Sequence, residues 1–477
     1  MASDRYTRLS VVPVIQKSIT IFSVLRTVRM LRAHKSWTTE RVHEQQMQSL
    51  AALRHFVYQH SPFYRTLHKG LEAAPLDALP IVTKAAMMEQ FDTFVTDKRI
   101  SLAALREHLA AGSIGRFQDK YEVVTTSGST GNPGIFLFDP TEWVTMLASF
   151  ARAREWAGVK TSIFARSKMA VVSSTDARNV SARVGKVADT PFIPTLRIDA
   201  MEPLEQITAA LNGWSPTVLV AYASMAHQLA HEQATQRLSI HPTYVFTSSE
   251  VLTPQMRRDI EAVWGAVVFN EYAATETATI AAEDVHHHGM HVCEDLLIVE
   301  NVDAQNRPVP PGDFGDKLLV TSLFARTQPL IRYEISDQVR FALTQPDCTL
   351  PFQVIDGVQG RREDTLDMPG VESAVVHIHP NVFHTVMDVV PNNGWQIIQE
   401  QSGVRILIVP TGGTDIDQMQ RRVVQALEVR AVRVPPITVD VVAAIPKAPS
   451  GKAPLIKKYG VSDQVGKGNT SSPYHVQ

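Results

Sequence analysis

Cysteine is almost absent, with Cys293 and Cys348 the only two in 477 residues. That excludes a disulfide framework, fits a reducing compartment, and sets the cytoplasm as the expected location. Net charge is nearly absent too: 46 Lys and Arg against 48 Asp and Glu leave −2, so bulk charge predicts no nucleic-acid partner. Long apolar runs are missing. The stretch from Leu9 to Leu31 is interrupted by Pro13, Gln16, Lys17, Arg26 and Arg29, which excludes the roughly 20 consecutive apolar residues of a membrane span. It also lacks the order of charge, apolar core and cleavage site that marks a signal peptide. Its apolar residues recur at helical spacing, which favours a packed amphipathic helix over a membrane-surface one. Neither an internal repeat nor the common phosphate loop G-x-x-x-x-G-K-[ST] occurs anywhere.

What is present is an ordinary globular composition, 44% apolar and 20% charged, and a length that predicts about two to four core-bearing units. From Glu40 to Lys69 the spacing is helical, with Leu50, Leu53 and Val57 on one face and Pro62 ending the run. A second helical stretch follows Pro80, near Lys84 to Phe94. From about Tyr121 short β-branched runs alternate with helical patterns: VVTTS, KMAVVSS, TVLVAYAS, TYVFTSS and AVVFNEY. Such alternation predicts a parallel sheet with its ligands beyond the carboxyl ends of the strands. After Asp284 the runs LLIVENVD, KLLVTSL and QVRFAL, with the turn-rich RPVPPGDFGD among them, predict an antiparallel region. Past Gly360 an α+β unit begins, with strands at VRILIVP and ITVDVVAAI and a helix from Asp415 to Val429. The polar segment Val461 to Gln477 reads as a poorly ordered tail.

Five short motifs carry chemistry-bearing side chains, and each has a bland alternative. TTSGSTGNPG, Thr125 to Gly134, follows a strand. Its glycines let backbone N–H groups approach an anion, and its hydroxyls suit phosphate oxygens; the alternative is a flexible turn. In EYAATET, Glu271 to Thr277, the Glu276 carboxylate beside the Thr275 hydroxyl suits Mg²⁺ against a phosphate, or else caps a helix. In PLIRYEISDQVRF, Arg332 and Asp337 flank a short turn, where Asp337 would accept from both ribose hydroxyls or simply form the turn. GRRED, Gly360 to Asp364, is a hinge or a solvated linker at a junction of units. In PKAPSGKAPLIKK, Lys452 follows Ser450 and Gly451, in a loop that would need domain closure to reach a reaction centre.

Taken in their order, these motifs resemble those of the adenylate-forming enzymes of the acyl-CoA synthetase superfamily, and among them the phenylacetate-CoA ligase family. The resemblance covers nearly the whole chain after the first forty residues, including HFVYQHSPFYRTL, LPIVTKAAM and TSSEVLTPQMRRDIEAVWGA. It implies an α/β protein. A large N-terminal adenylate-forming domain over residues 1–360 would hold parallel and mixed sheets with helices, plus a small antiparallel region. A small mobile C-terminal α+β domain over 361–460 would carry the catalytic lysine, with a tail over 461–477. The implied activity is ATP-dependent adenylation of a small, compact or aromatic carboxylic acid, then acyl transfer to a thiol of coenzyme A or a carrier protein.

By the same resemblance Thr126, Ser127, Gly128, Ser129, Thr130 and Gly131 hold the ATP phosphates, and Glu276, with Thr275 beside it, holds Mg²⁺. Ser249 and Glu250 border the adenine, Tyr272 joins the nucleotide site, Asp337 takes the ribose and Arg361 the nucleotide. Lys452 meets the substrate carboxylate, and Phe138, Tyr222, Ala223, Phe246, Tyr272 and Ala273 shape the acyl pocket. Glu363 stands at the hinge position, where the family more often has Asp or Lys.

The chain departs from the family in the insert around residues 283–350, where relatives carry a zinc-site-like set of cysteines and a histidine and here His291 and Cys348 remain. The cluster His286 to His291 and the residues His377, His379 and His384 read as loop and core histidines ahead of ligands. Two alternatives stay open: adenylation coupled to amide formation or to AMP transfer onto a cofactor, and a non-catalytic nucleotide- or acid-binding relative. A homodimer is expected only from its frequency among soluble proteins.

Overall fold

The computed structural model describes residues 14–112, 115–126, 133–159, 167–190, 193–344, 350–361, 364–378, 380–387, 390–447 and 452–458. The predicted tail lies outside the described residues. Two compact units divide between Gly360 and Arg361.

The first unit opens with helices. The apolar stretch near the start forms a helix over Val14–Ala33, and the predicted helix after Glu40 is two helices, Thr39–His60 and Pro62–Leu67. Pro62 causes the break, because its ring cannot continue the first helix yet suits the first turn of the next. Ser61 caps that second helix by accepting from the Tyr64 N–H. The stretch after Pro80 likewise divides into Lys84–Glu89 and Phe91–Phe94.

Strands follow in chain order: β1 (Glu122–Thr125), β2 (Ile135–Phe138), β3 (Met169–Ser173), β4 (Thr195–Asp199), β5 (Val218–Tyr222), β6 (Tyr244–Ser248) and β7 (Val267–Ala274). Next come β8 (Ala278–Glu283), β9 (Met290–Val292), β10 (Leu297–Val302), β11 (Lys317–Ser322), β12 (Tyr333–Ile335), β13 (Asp337–Phe341) and β14 (Val354–Arg361). Nine of them build one mixed sheet in the order β13-β14-β9-β8-β7-β6-β5-β3-β4. Strands β4, β3, β5, β6 and β7 run parallel, and β8, β9 and β14 add antiparallel.

Two predicted strands go elsewhere than expected. VVTTS is β1 and pairs antiparallel with β2, outside the parallel sheet, because the chain returns at once through the glycine-rich loop without the crossover that parallel pairing requires. QVRFAL is β13 and joins the large sheet. The antiparallel region is instead β10-β11-β12, since the chain changes sheets at Ser336, between β12 and β13. Strand β4 was not predicted; among its residues only Ile198 is buried, so it carries little apolar signal.

The second unit holds β15 (Leu366–Pro369) paired with β16 (Val375–Ile378), and a four-stranded sheet of β17 (Asn392–Gln399), β18 (Val404–Pro410), β19 (Ile437–Val441) and β20 (Ile456–Lys458) in the order β19-β18-β17-β20. The predicted helix is Ile416–Glu428, which buries Met419, Val423 and Leu427 at a spacing of four.

One interior charge pair ties the large unit together. Arg152, on the helix Pro140–Trp156, is 1% exposed and places Nη1 2.5 Å from Oδ2 of Asp295, in the link between β9 and β10. His34 reaches the same oxygen at 2.7 Å. Burial by itself would push the Asp295 carboxyl up, but the Arg152 charge and the His34 hydrogen bond hold it below its ordinary range. Removing one member strands the other in the interior, so Asp295→Ala is expected to lower stability by about 3–5 kcal/mol in urea unfolding, with Arg152→Met plus Asp295→Leu less damaging than Asp295→Ala alone.

Candidate functional site

Parallel strands β5, β6 and β7 end on the same edge of the large sheet, because Tyr222 pairs with Ser248 and Ser248 with Glu271. Their continuations bring three sequence motifs to that edge. Beyond β5 the helix Ala223–Ala234 begins. Beyond β6, Ser249 adopts a left-handed backbone with φ of +68°, a conformation that costs about 1 kcal/mol or more without a glycine. The turn delivers Glu250 to the start of that helix, where its Oε2 accepts the Ser224 N–H at 2.9 Å. Tyr222 lies alongside, its phenol oxygen accepting the Ser174 N–H at 3.0 Å; burial pushes that phenol up to about 12.

Beyond β7 the chain turns directly into β8, with Ala274 paired to Ala278 and the Thr277 N–H bonded to the Ala274 carbonyl. Thr275 and Glu276 therefore sit at a hairpin tip, which rules out the helix-capping alternative for this motif. Ala278 takes φ of +66° to close it. Glu276 faces Tyr333, the first residue of β12: burial raises that phenol far above its ordinary range, and the Glu276 carboxylate raises it further. The pairing brings EYAATET onto PLIRYEISDQVRF. A second bond does the same, for the Tyr272 hydroxyl donates to Oδ2 of Asp337 at 2.7 Å. Both contacts join a phenol to a carboxylate, so each carboxylate is oriented by a donor that brings no charge of its own. Glu276 and Thr275 offer the hard oxygens that Mg²⁺ takes, and the residues present fit that ion.

At the glycine-rich loop Thr126 closes the base twice: its N–H bonds the Gly134 carbonyl at 3.0 Å, and its Oγ1 accepts the Gly134 N–H at 2.8 Å. Ser127, Gly128, Ser129, Thr130 and Gly131 lie outside the described residues. Phe138 packs with Trp143, and Phe246 stacks on Phe269 beneath Arg154; both side chains are 2% exposed. Ala273 is half-buried on β7. Arg361 and Lys452 belong to the second unit, and Glu363 lies outside the described residues. His291 is buried, with Nε2 3.6 Å from Asp284, while Cys348 is outside the described residues. No group of three metal-ligating side chains occurs among the described residues.

Some contributors are seen only in the structure, although Tyr333 stands inside PLIRYEISDQVRF. Tyr333 and Ser224 touch site carboxylates only after folding. Tyr64 hydrogen-bonds both the Pro329 carbonyl and the Ile331 N–H at 3.0 Å, holding the approach to β12 from a helix far away in sequence. Arg332 turns out to be an anchor: it is 4% exposed, pairs with Glu300 and donates to the carbonyls of Asp77 and Leu79.

No family model matches the chain. It is 24% identical over 311 residues to protein CapK of Staphylococcus aureus, covering 62% of each chain, so it spans about six tenths of that relative's length. It is 23% identical over 381 residues to the phenylacetate-coenzyme A ligase of Thermus thermophilus, covering 76% of this chain and 79% of that one. Among solved structures, 2-hydroxyisobutyryl-CoA ligase in its postadenylation state superposes with a TM-score of 0.71 at 18% identity, over 89% of this chain and 91% of the other. An anthranilate CoA ligase bound to anthranoyl-AMP gives a TM-score of 0.51 at 14% identity, over 69% and 64%. With a large mixed-sheet unit, a smaller C-terminal sheet unit and this distant sequence relationship to phenylacetate-coenzyme A ligase, the chain has the fold of the adenylate-forming CoA ligase superfamily.

Proposed function

We propose that the chain is an ATP-dependent, AMP-forming acid–thiol ligase. The observation that carries this reading is the convergence on one sheet edge of Glu250, Glu276 and Asp337, the last two each facing a tyrosine. Ligands of open α/β sheets bind at such an edge. In support, 2-hydroxyisobutyryl-CoA ligase, which shares the fold, was crystallised with an acyl-AMP and with CoA.

In the first step a carboxylate oxygen of the acid attacks the α-phosphorus of ATP, the bond to the bridging oxygen breaks, and pyrophosphate leaves. In the second the acceptor thiol, having lost its proton to solvent, attacks the acyl carbon and AMP leaves. Asp337 accepts from the ribose hydroxyls, oriented by Tyr272. Ser249 and Glu250 border the adenine, and Arg361 contacts the nucleotide. The hydroxyls and N–H groups of Thr126 to Gly131 receive the phosphates. Mg²⁺ held by Glu276 would offset charge on the departing pyrophosphate. Lys452 neutralises charge as the acid's oxygen meets phosphorus, and Glu363 serves as the hinge. The acid is small and compact, shaped by Phe138, Tyr222, Phe246 and Ala273, and coenzyme A is the acceptor.

ATP–pyrophosphate exchange against aryl, short aliphatic and amino acids is expected to respond to one class, and Lys452→Ala to lose about 10²–10³ of it. Exchange with no acid at all would sink the reading, and a CoA thioester in the products identifies the second step. Tyr272→Phe removes the hydroxyl that donates to Asp337, so KM for ATP is expected to rise about tenfold, the order of one side-chain hydrogen bond. If Tyr272→Phe matches the parent in KM, the tyrosine does not position Asp337.

A further inference from the structure

The helix Val14–Ala33 is anchored on one side and presents exposed apolar side chains on the other. Val24, Val28 and Leu31 pack into the large unit's core, Arg32 pairs with Glu155, and His34, just past the helix, holds Asp295. Facing away are Ile19, Phe22, Leu25 and Met30, exposed at 61%, 71%, 63% and 55%. The other strongly exposed apolar residues of the large unit, such as Met201 and Leu343, are scattered singly, as on any soluble surface. Here Phe22, Leu25, Arg26 and Arg29 follow the spacing i, i+3, i+4, i+7, so both arginines, also exposed, stand among the apolar side chains.

Charge decides what covers this face. Between Asp4 and Glu40 the sequence has no acidic residue and seven Lys or Arg. A second copy docking through a two-fold axis would bring the same patch against itself, crowding Arg26 and Arg29 against their own kind with no carboxylate on the helix to receive them. A surface that accepts apolar side chains at one depth and cations at a shallower one suits the interleaving, because arginine stems lie along apolar groups while the guanidinium reaches phosphate. The helix is too polar to cross a bilayer; among the described residues no helix is long and apolar enough to do so.

We propose that this face docks in the plane of an anionic lipid bilayer, with Ile19, Phe22, Leu25 and Met30 entering the acyl boundary and Arg26 and Arg29 on the lipid phosphates. The large unit then rides on the membrane through Arg32, His34 and the Val28 and Leu31 contacts.

Cosedimentation of the full chain with phosphatidylcholine vesicles, with and without phosphatidylglycerol, tests it. The expected result is pelleting with the phosphatidylglycerol vesicles, weakened by salt, and about tenfold weaker partition on phosphatidylcholine alone. Phe22→Glu with Leu25→Glu is expected to lose at least about tenfold in partition while keeping the parent's thermal midpoint. Arg26→Ala with Arg29→Ala is expected to lose the preference for anionic lipid. Failure of the parent to pellet would overturn the proposal, and so would pelleting that Phe22→Glu with Leu25→Glu leaves unchanged. A dimer by light scattering that the same substitutions dissociate would also overturn it, assigning the face to a second copy.

Discussion

A guanidinium as deeply buried as that of Arg152 cannot stand without a carboxylate, and the requirement for Asp295 to meet it fixes much of the large unit. Asp295 lies in the link between β9 and β10, where the chain leaves the nine-stranded sheet for the three-stranded one. Arg152 lies on the helix that begins directly after β2, with its guanidinium over the Trp156 ring at 4.7 Å. His34 adds the N-terminal helix to the same oxygen. At the helix's other end Asp139 and Glu142 form a capping box, and Glu142 also accepts the N–H groups of Arg326 and Thr327. With both ends of that helix tied, β2 and the Thr126–Gly134 closure of the glycine-rich loop have a fixed base.

The site depends on a second kind of tie, between phenols and carboxylates. A tyrosine hydroxyl supplies one donor and no charge, so the bond it makes orients a carboxylate oxygen without setting a cation beside it. The price is burial, borne most heavily by Tyr333, at 1% exposed. The same logic separates Arg332 from the site: its donors are spent on Glu300 and on backbone carbonyls, so it fixes the segment before β12 and leaves ligand contact to others.

Strands β5, β6 and β7 were legible because a parallel sheet covered on both faces needs continuous apolar runs, as in TVLVAYAS and TYVFTSS. The motif order was legible as a resemblance. What the sequence did not disclose was anything set by long-range pairing. VVTTS has the composition of a core strand, and only its return through the loop makes it a hairpin. EYAATET reads equally as a helix start, until the left-handed Ala278 closes a turn that composition gives no reason to expect. Strand β17 mixes asparagine and glutamine with its apolar residues, and β20 has only three residues; neither offers a periodicity long enough to recognise.

The position of Lys452 shows how a short strand answers a problem that sequence alone poses. A lysine in a segment rich in proline and glycine has no means of holding an aim. In the small unit, however, the residues that follow it are fixed: Gln396 donates to the Pro454 carbonyl at 2.6 Å, the Ile397 N–H bonds the Leu455 carbonyl at 2.8 Å, and β20 runs parallel to β17 from Ile456 onward. Ile456 is buried in the unit's core with Trp395 and Ile397. Lys452 is thus two residues from the first of these bonds, so its backbone follows the four-stranded sheet as a body.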